Sequence, residues 1–144
     1  MKQITKLILL ITLFVSLPST ADIAIIVNIS NPSDSLSVVD LKKIYRVRVS
    51  EFVDNSPIVL SYQPSDREIT RKFVKHAVGQ SMAQLNRVWA RKIFSGRMRR
   101  PIKLSDDTMV IQWIEKNRNG IGYIDEVNLT DNVKKIATIK TPLH

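Results

Sequence analysis

Three groups of residues in this chain have types and spacings that could do chemistry. The first is Gln63-Pro64-Ser65-Asp66-Arg67, lying between an apolar run and a helical pattern. A helix start presents unpaired amide N–H groups and a partial positive charge, which together favour phosphate-like anions. Ser65 would add a hydroxyl, Asp66 its amide and Arg67 a guanidinium. The same residues also serve plain helix capping, with Arg67 in solvent. The second group is the basic stretch Arg87, Arg91, Lys92, Arg97, Arg99, Arg100 and Lys103. It suits a solvated face, a docking surface for an acidic partner or a long-range attraction for anions. The third is Asp106-Asp107, a carboxylate pair at a helix start, where complementarity to the helix dipole accounts for both charges.

Enzyme chemistry finds no support in the remaining residues. The 144 residues include no cysteine, which removes disulfides, thiolate metal sites and cysteine nucleophiles. His76 and His144 have no neighbours at metal-ligand spacing. Nucleophile-elbow, phosphate-loop and zinc-protease motifs are absent from the sequence. The expectation is a non-enzyme without metal or cofactor. Trp89 and Phe94 interleave with the basic stretch, as in a nucleic-acid footprint. Both are expected to pack inward on the apolar face of their helix, so no nucleic-acid partner is expected.

The elements that must position these residues follow from apolar spacing. Ile23 to Val27 reads as a buried strand, and the segment from Asn28 to Ser35 as a turn. Ser37 with Asp40 opens a helix whose face is Val38, Leu41, Ile44 and Tyr45. Asp54-Asn55-Ser56-Pro57 turns into a second buried strand, Ile58 to Tyr62. Ser65 and Glu68 are spaced for a capping box, with Ile69, Phe73, Val74 and Ala77 as the inward stripe and Gly79 as the stop. Ser81 with Gln84 starts a third helix that buries Leu85, Val88, Trp89 and Ile93 and stops at Gly96. Arg97 to Lys103 reads as a loop. A fourth helix spans about 106–117, burying Met109, Val110, Trp113 and Ile114. Gly120 to Ile124 and Ile136 to Ile139 complete the strands. Strands alternating with helices and no internal linker argue for one α/β domain.

Residues 1–21 read as a secretory signal: Lys2 and Lys6, an apolar run from Leu7 to Leu17, then Pro18 and the small residues Ser19-Thr20-Ala21. This almost wholly apolar run of eleven residues falls short of the ~20 that span a bilayer. Cleavage is expected between Ala21 and Asp22, leaving 22–144 as the working domain and no later segment able to cross a membrane. The whole chain carries 22 basic and 13 acidic side chains, a formal charge of +9. Without the 21-residue signal and its two lysines, 123 residues remain at +7. The expected compartment is the periplasm of a Gram-negative bacterium.

The order of these segments resembles the phosphate ABC transporter substrate-binding family, and more closely the small single-domain members of the periplasmic-binding-protein-like group. The resemblance is carried by the Ile23–Asn28 strand, Ser37-Val-Val-Asp-Leu-Lys-Lys-Ile44, the strand ending at Tyr62 and the Ser-initiated helix ending in Phe73. Trp89-Ala-Arg-Lys-Ile-Phe94-Ser-Gly96, Pro101 and Asn119-Gly-Ile-Gly-Tyr123 extend it over nearly all of 23–124. It implies a type 2 periplasmic-binding-protein-like single lobe, a mixed sheet flanked by helices. It also implies binding of phosphate or a related oxyanion, for transport or sensing with an ABC transporter or sensor protein. In full-length relatives phosphate sits between two lobes, held partly by an arginine and a Ser-Gly-Thr turn. Gln63 stands where that arginine falls, and Arg67-Glu68-Ile69 occupy the Ser-Gly-Thr positions. The expected ligand contacts are therefore Ser65, Asp66 and Arg67, with Gln63 as a fourth. One lobe should bind weakly unless a second copy, as in a homodimer, or another protein closes the site. The alternative is a ligand-free module that docks on a sensor, transporter or envelope complex through the Arg97–Lys103 face.

Overall fold

The computed structural model describes residues 22–142. The signal expectation for 1–21, and His144, lie outside the described residues. Strand β1 (Ile23–Asn28) is followed by helix α1 (Val38–Tyr45) and strand β2 (Val59–Tyr62). Helix α2 (Glu68–Phe73) runs directly into a π-helical turn, Val74–Val78, and helix α3 is Met82–Phe94. Strand β3 (Ile102–Lys103), helix α4 (Asp107–Lys116), strand β4 (Gly120–Asp125), a 3-10 turn (Glu126–Asn128) and strand β5 (Val133–Ile139) complete the order. The five strands form one mixed sheet in the order β3-β2-β4-β1-β5. β2 is parallel to both β3 and β4, whereas β1 is antiparallel to β4 and β5.

The uninterrupted apolar run of β1 is explained by its two covered faces. Side chains alternate across a strand, so Ile23, Ile25 and Val27 enter one core while Ala24 and Ile26 enter another. The larger core holds Leu41, Tyr45, Phe73, Leu85, Trp89 and Tyr123, from α1, α2, α3 and β4. The smaller core is built by α4 through Val110 and Ile114. Phe73 stacks on Tyr123 with ring centroids 4.0 Å apart, and Tyr45 meets Phe73 edge-on at 4.8 Å.

Local capping chemistry is realised at two helix starts as expected. Ser37 accepts from the Asp40 amide, and Ser81 with Gln84 closes a reciprocal capping box. Gly79 and Gly96 carry left-handed φ values of 70° and 71° at the two helix stops. Other expectations are corrected. Met109 is exposed and Trp113 only half-buried, so α4 buries a narrower stripe than its spacing implied. The Arg97–Lys103 loop contains β3, whose two residues pair with Ser61 and Tyr62. Phe94 does not pack inward: it is 96% exposed, whereas Trp89 is buried and donates its indole N–H to the Tyr45 carbonyl. Phe94 is nine residues beyond Leu85, and at 100° per residue that places it about half a turn from the buried stripe.

Candidate functional site

The carboxyl ends of the parallel strands β2 and β4 lie beside the starts of α2 and α4. In open α/β sheets such an edge gathers loops and helix N-termini around a common crevice. β2 delivers the segment Gln63–Arg67 there, β4 delivers Tyr123 to Asp125, and α4 delivers Asp107.

The Ser65–Glu68 capping box does not form. The Arg67 amide donates to the Pro64 carbonyl at 3.1 Å, closing a turn that contains Ser65 and Asp66. Arg67 is therefore the N-cap residue, with no side-chain cap bond, and α2 begins at Glu68. Ser65 is two residues too early to reach the third helical amide. Glu68 instead pairs with Lys72 one turn later, 3.4 Å apart, and the Arg71 guanidinium donates to the Asp66 carbonyl at 2.7 Å. Ser65 and Asp66 are exposed and Arg67 is half-buried. The amides of Asp66, Glu68 and Ile69 donate to no acceptor among the described residues. The Arg67 Nε is buried without an acceptor. A cavity of about 230 Å³ adjoins it, bordered by the cations Arg67 and Lys72, by the carboxylates Glu68, Asp107 and Asp125, and by Asn128; Ser65 and Asp66 lie outside its lining.

Gln63 has a different place from the one expected. It is wholly buried, so its side chain supports the turn from beneath, and its Oε1 has no hydrogen-bond partner among the described residues. Its Nε2 donates to Asp107 Oδ1 at 2.7 Å and to the Tyr123 carbonyl at 3.0 Å. Its backbone N–H donates to the Tyr123 hydroxyl at 2.8 Å. Thr70 Oγ1 donates to the Gln63 carbonyl at 3.2 Å and lies 2.8 Å from the Tyr123 hydroxyl. With the Tyr123 hydroxyl donating a hydrogen bond to Thr70 Oγ1, a ring closes in which each hydroxyl donates once and accepts once. Burial pushes the Tyr123 phenol up to about 12, so it stays a neutral donor across the physiological range.

Asp107 does more than complement the dipole of α4. Asp106 caps α4, accepting from the Met109 amide at 2.9 Å. Asp107 is buried, and its second oxygen accepts from the Asp125 amide at 3.0 Å and from Asn128 Nδ2 at 2.8 Å. Its carboxylate thus ties β4 and the following 3-10 turn to Gln63. Tyr123, Thr70 and Asn128 were not anticipated, because each lies tens of residues or more from the group it serves, except Thr70. The signal available for Thr70 was its place three residues after Arg67, the position that an N-cap residue would otherwise engage.

The fold, as distinct from the details of this site, is found in solved structures. A candidate phosphate ABC transporter substrate-binding protein from Clostridium perfringens, solved with bound phosphate, superposes with a TM-score of 0.67 at 21% identity. The match covers 81% of this chain and 44% of that one. An ABC-type phosphate transport receptor from Vibrio cholerae matches with a TM-score of 0.65 at 16% identity, over 81% and 46% of the two chains. PstS from Borrelia burgdorferi matches at 0.62 and 12% identity, over 81% and 47%. The fold is a single periplasmic-binding-protein-like lobe. The chain spans less than half the length of each of these structures, so the lobe corresponds to one part of them. No protein-family profile and no curated protein sequence matches the chain.

Proposed function

We propose that this lobe is an exported, non-enzymatic solute-binding protein whose ligand is phosphate or a related oxyanion. Residues 1–21 would be its secretory signal, and it would serve an ABC transporter or sensor from the periplasm. The observation that carries the proposal is the Pro64–Arg67 turn. The amides of Asp66, Glu68 and Ile69 and the Arg67 Nε, all without acceptors among the described residues, belong to the short segment that joins the end of β2 to the start of α2. The likeness to a structure holding phosphate supports the choice of ligand. Ser65 would donate its hydroxyl, Asp66 its amide and Arg67 its guanidinium, while Lys72 offsets the charge of Glu68. Gln63 and Asp107 would hold the turn from beneath.

A single lobe limits affinity. A charge-assisted hydrogen bond contributes roughly 1.5–3 kcal/mol and a helix end roughly 0.3–1 kcal/mol. Ligand ordering and dehydration of a phosphate offset much of that sum. The expected dissociation constant of the monomer is about millimolar, near −4 kcal/mol. A thermal-shift comparison of phosphate, sulfate, molybdate and small carboxylates at equal ionic strength tests the reading. Phosphate at 100 times its dissociation constant should stabilise by about 2.7 kcal/mol, and Ser65→Ala with Arg67→Ala should erase that shift. If sulfate matches phosphate, the specificity fails; if the shift survives both substitutions, the site fails.

A second reading is favoured by one observation at the end of α3. Phe94 is 96% exposed beside Arg91, Lys92 and Arg97, and none of these cations has an ion-pair partner among the described residues. Such a face suits docking on a sensor, transporter or envelope complex. Phe94→Ser with Arg97→Glu should release the protein from the envelope fraction while leaving any phosphate shift intact. Unchanged fractionation would remove this reading.

A further inference from the structure

A second cavity lies at the other end of the sheet, where β2 and β4 begin. It has a volume of about 350 Å³, in the lower part of the range of small-molecule sites. Its apolar lining comes from Ile44, Val47, Ile58, Leu60 and Met98. Arg97 and Arg99 stand at its border, both exposed. Neither guanidinium makes an ion pair or a side-chain hydrogen bond among the described residues. The one acidic residue on the lining is Glu51, exposed and bridged through its backbone to Pro57.

Two independent features set this groove apart from an accidental gap. Val47, on its wall, has φ of 58°. A β-branched residue in the left-handed region is a genuine outlier, and such strain gathers at sites that hold ligands. Asn119, also on the wall, has its side-chain oxygen buried without a donor. Its backbone carbonyl meanwhile accepts from the Val59 amide at 2.9 Å, which fixes the residue at the junction of β2 and β4.

We infer that this groove binds a small amphipathic carboxylate, its apolar tail against Ile44, Ile58 and Leu60 and its head group on Arg97 and Arg99. The chemistry follows from the lining. Phosphate or sulfate would gain the arginines but nothing from the apolar wall. A neutral hydrocarbon would gain the wall and leave the cations unused. The planar guanidinium fork matches a carboxylate in two parallel bonds. The site shares no residue with the Pro64–Arg67 turn, so it stands or falls independently of the oxyanion reading.

The test uses the purified protein, isotope-labelled, titrated with sodium octanoate, 1-octanol and sodium acetate at equal ionic strength while amide resonances are followed. Octanoate should move the Val47, Ser50, Gly96, Met98 and Asn119 amides saturably, with a Kd at least about tenfold below that of acetate. Arg97→Ala with Arg99→Ala, at exposed positions that carry no packing, should raise the octanoate Kd about tenfold and leave octanol unchanged. Arg97→Lys with Arg99→Lys should fall between. The inference is overturned if acetate perturbs the same amides as strongly, or if the alanine pair leaves the octanoate Kd unchanged. It is also overturned if the shifts centre on Ser65–Arg67, or if sedimentation shows the groove filled by a second copy that octanoate does not displace.

Discussion

At the scale of single residues, two backbone positions and one phenol make opposite demands. Val47 holds a left-handed φ of 58° that costs an L-residue about 1–2 kcal/mol. Val47→Gly removes that cost but adds about 0.5–1 kcal/mol of backbone entropy and gives up part of a half-buried side chain. The change in the urea midpoint should therefore correspond to less than about 1 kcal/mol, against several for truncating a valine in the core. Gly79→Ala runs the other way. Its φ is 70°, and an added Cβ would meet the Arg46 guanidinium at 3.1 Å, the group that donates to the Val78 and Gly79 carbonyls. A loss of about 1–2 kcal/mol is expected there. Equal effects of the two substitutions would show that backbone strain is not what separates them. Tyr123 sets an alkaline limit. Its phenol is raised from 10.0 to about 12 chiefly by burial, and Tyr45 is raised for the same reason. The folded protein keeps these protons where the unfolded chain has lost them. Stability is thus full below about pH 10 and lost as pH rises through 12, by roughly 2–3 kcal/mol from Tyr123. Phenolate absorbance should rise with loss of helical circular dichroism in that window. In a Tyr62→Phe background, which removes the half-buried third phenol, phenolate appearing near pH 10 in a protein that stays folded would refute the buried ring of hydroxyls.

At the scale of elements, β4 is the strand on which the two cores and the site depend. Gly120 and Gly122 face α4. An added Cβ at 120 would come within 2.6 Å of the Trp113 ring, and one at 122 within 2.7 Å of both Val110 and the Ser61 hydroxyl. That hydroxyl already donates to the Ile121 carbonyl at 2.7 Å, so it has little room to yield. The glycines let α4 lie close to the sheet, which in turn brings Asp107 to Gln63. Gly122→Ala should cost about 1–3 kcal/mol by overpacking and should weaken any phosphate shift by displacing Asp107. Chemical denaturation and the thermal-shift screen measure the two effects separately, and full stability in the variant would contradict the close packing. The alternation of glycine with Ile121 and Tyr123 was visible as a strand pattern. Which neighbour needed the missing side chains was not, because Trp113 and Val110 reach β4 only through the fold.

At the scale of the whole molecule, Asp22 is tied to two distant segments of the fold. Asp22 pairs with Lys140 at 2.8 Å, and its carbonyl accepts from the Glu126 amide at 2.9 Å. A chain beginning at Asp22 would keep both bonds, since neither uses an upstream residue. If residues 1–21 are the proposed signal, expression in a secreting bacterium followed by intact-mass measurement should give a periplasmic product beginning at Asp22. A product that retains residues 1–21 would refute the proposed signal.

The amino-acid sequence by itself determined the α/β class, the helix caps at Ser37 and Ser81, the glycine stops and the buried strand β1. Each of these is written in residues a few positions apart, and local hydrogen bonds or side-chain periodicity enforce them. The sequence also placed Ser65, Asp66 and Arg67 at a strand-to-helix turn. Only the tertiary structure decided what that turn is made of. Gln63 is drawn under it by Asp107, 44 residues later, and by Tyr123, 60 residues later. The Pro64–Arg67 bond moves the helix start past Ser65, and β3 exists because an edge of β2 was open to pairing. Phe94 is left outside because helix geometry carried it half a turn from Leu85. In each case a polar group or an apolar surface is satisfied by partners distant in the chain, and no local pattern records which distant partner the fold will supply.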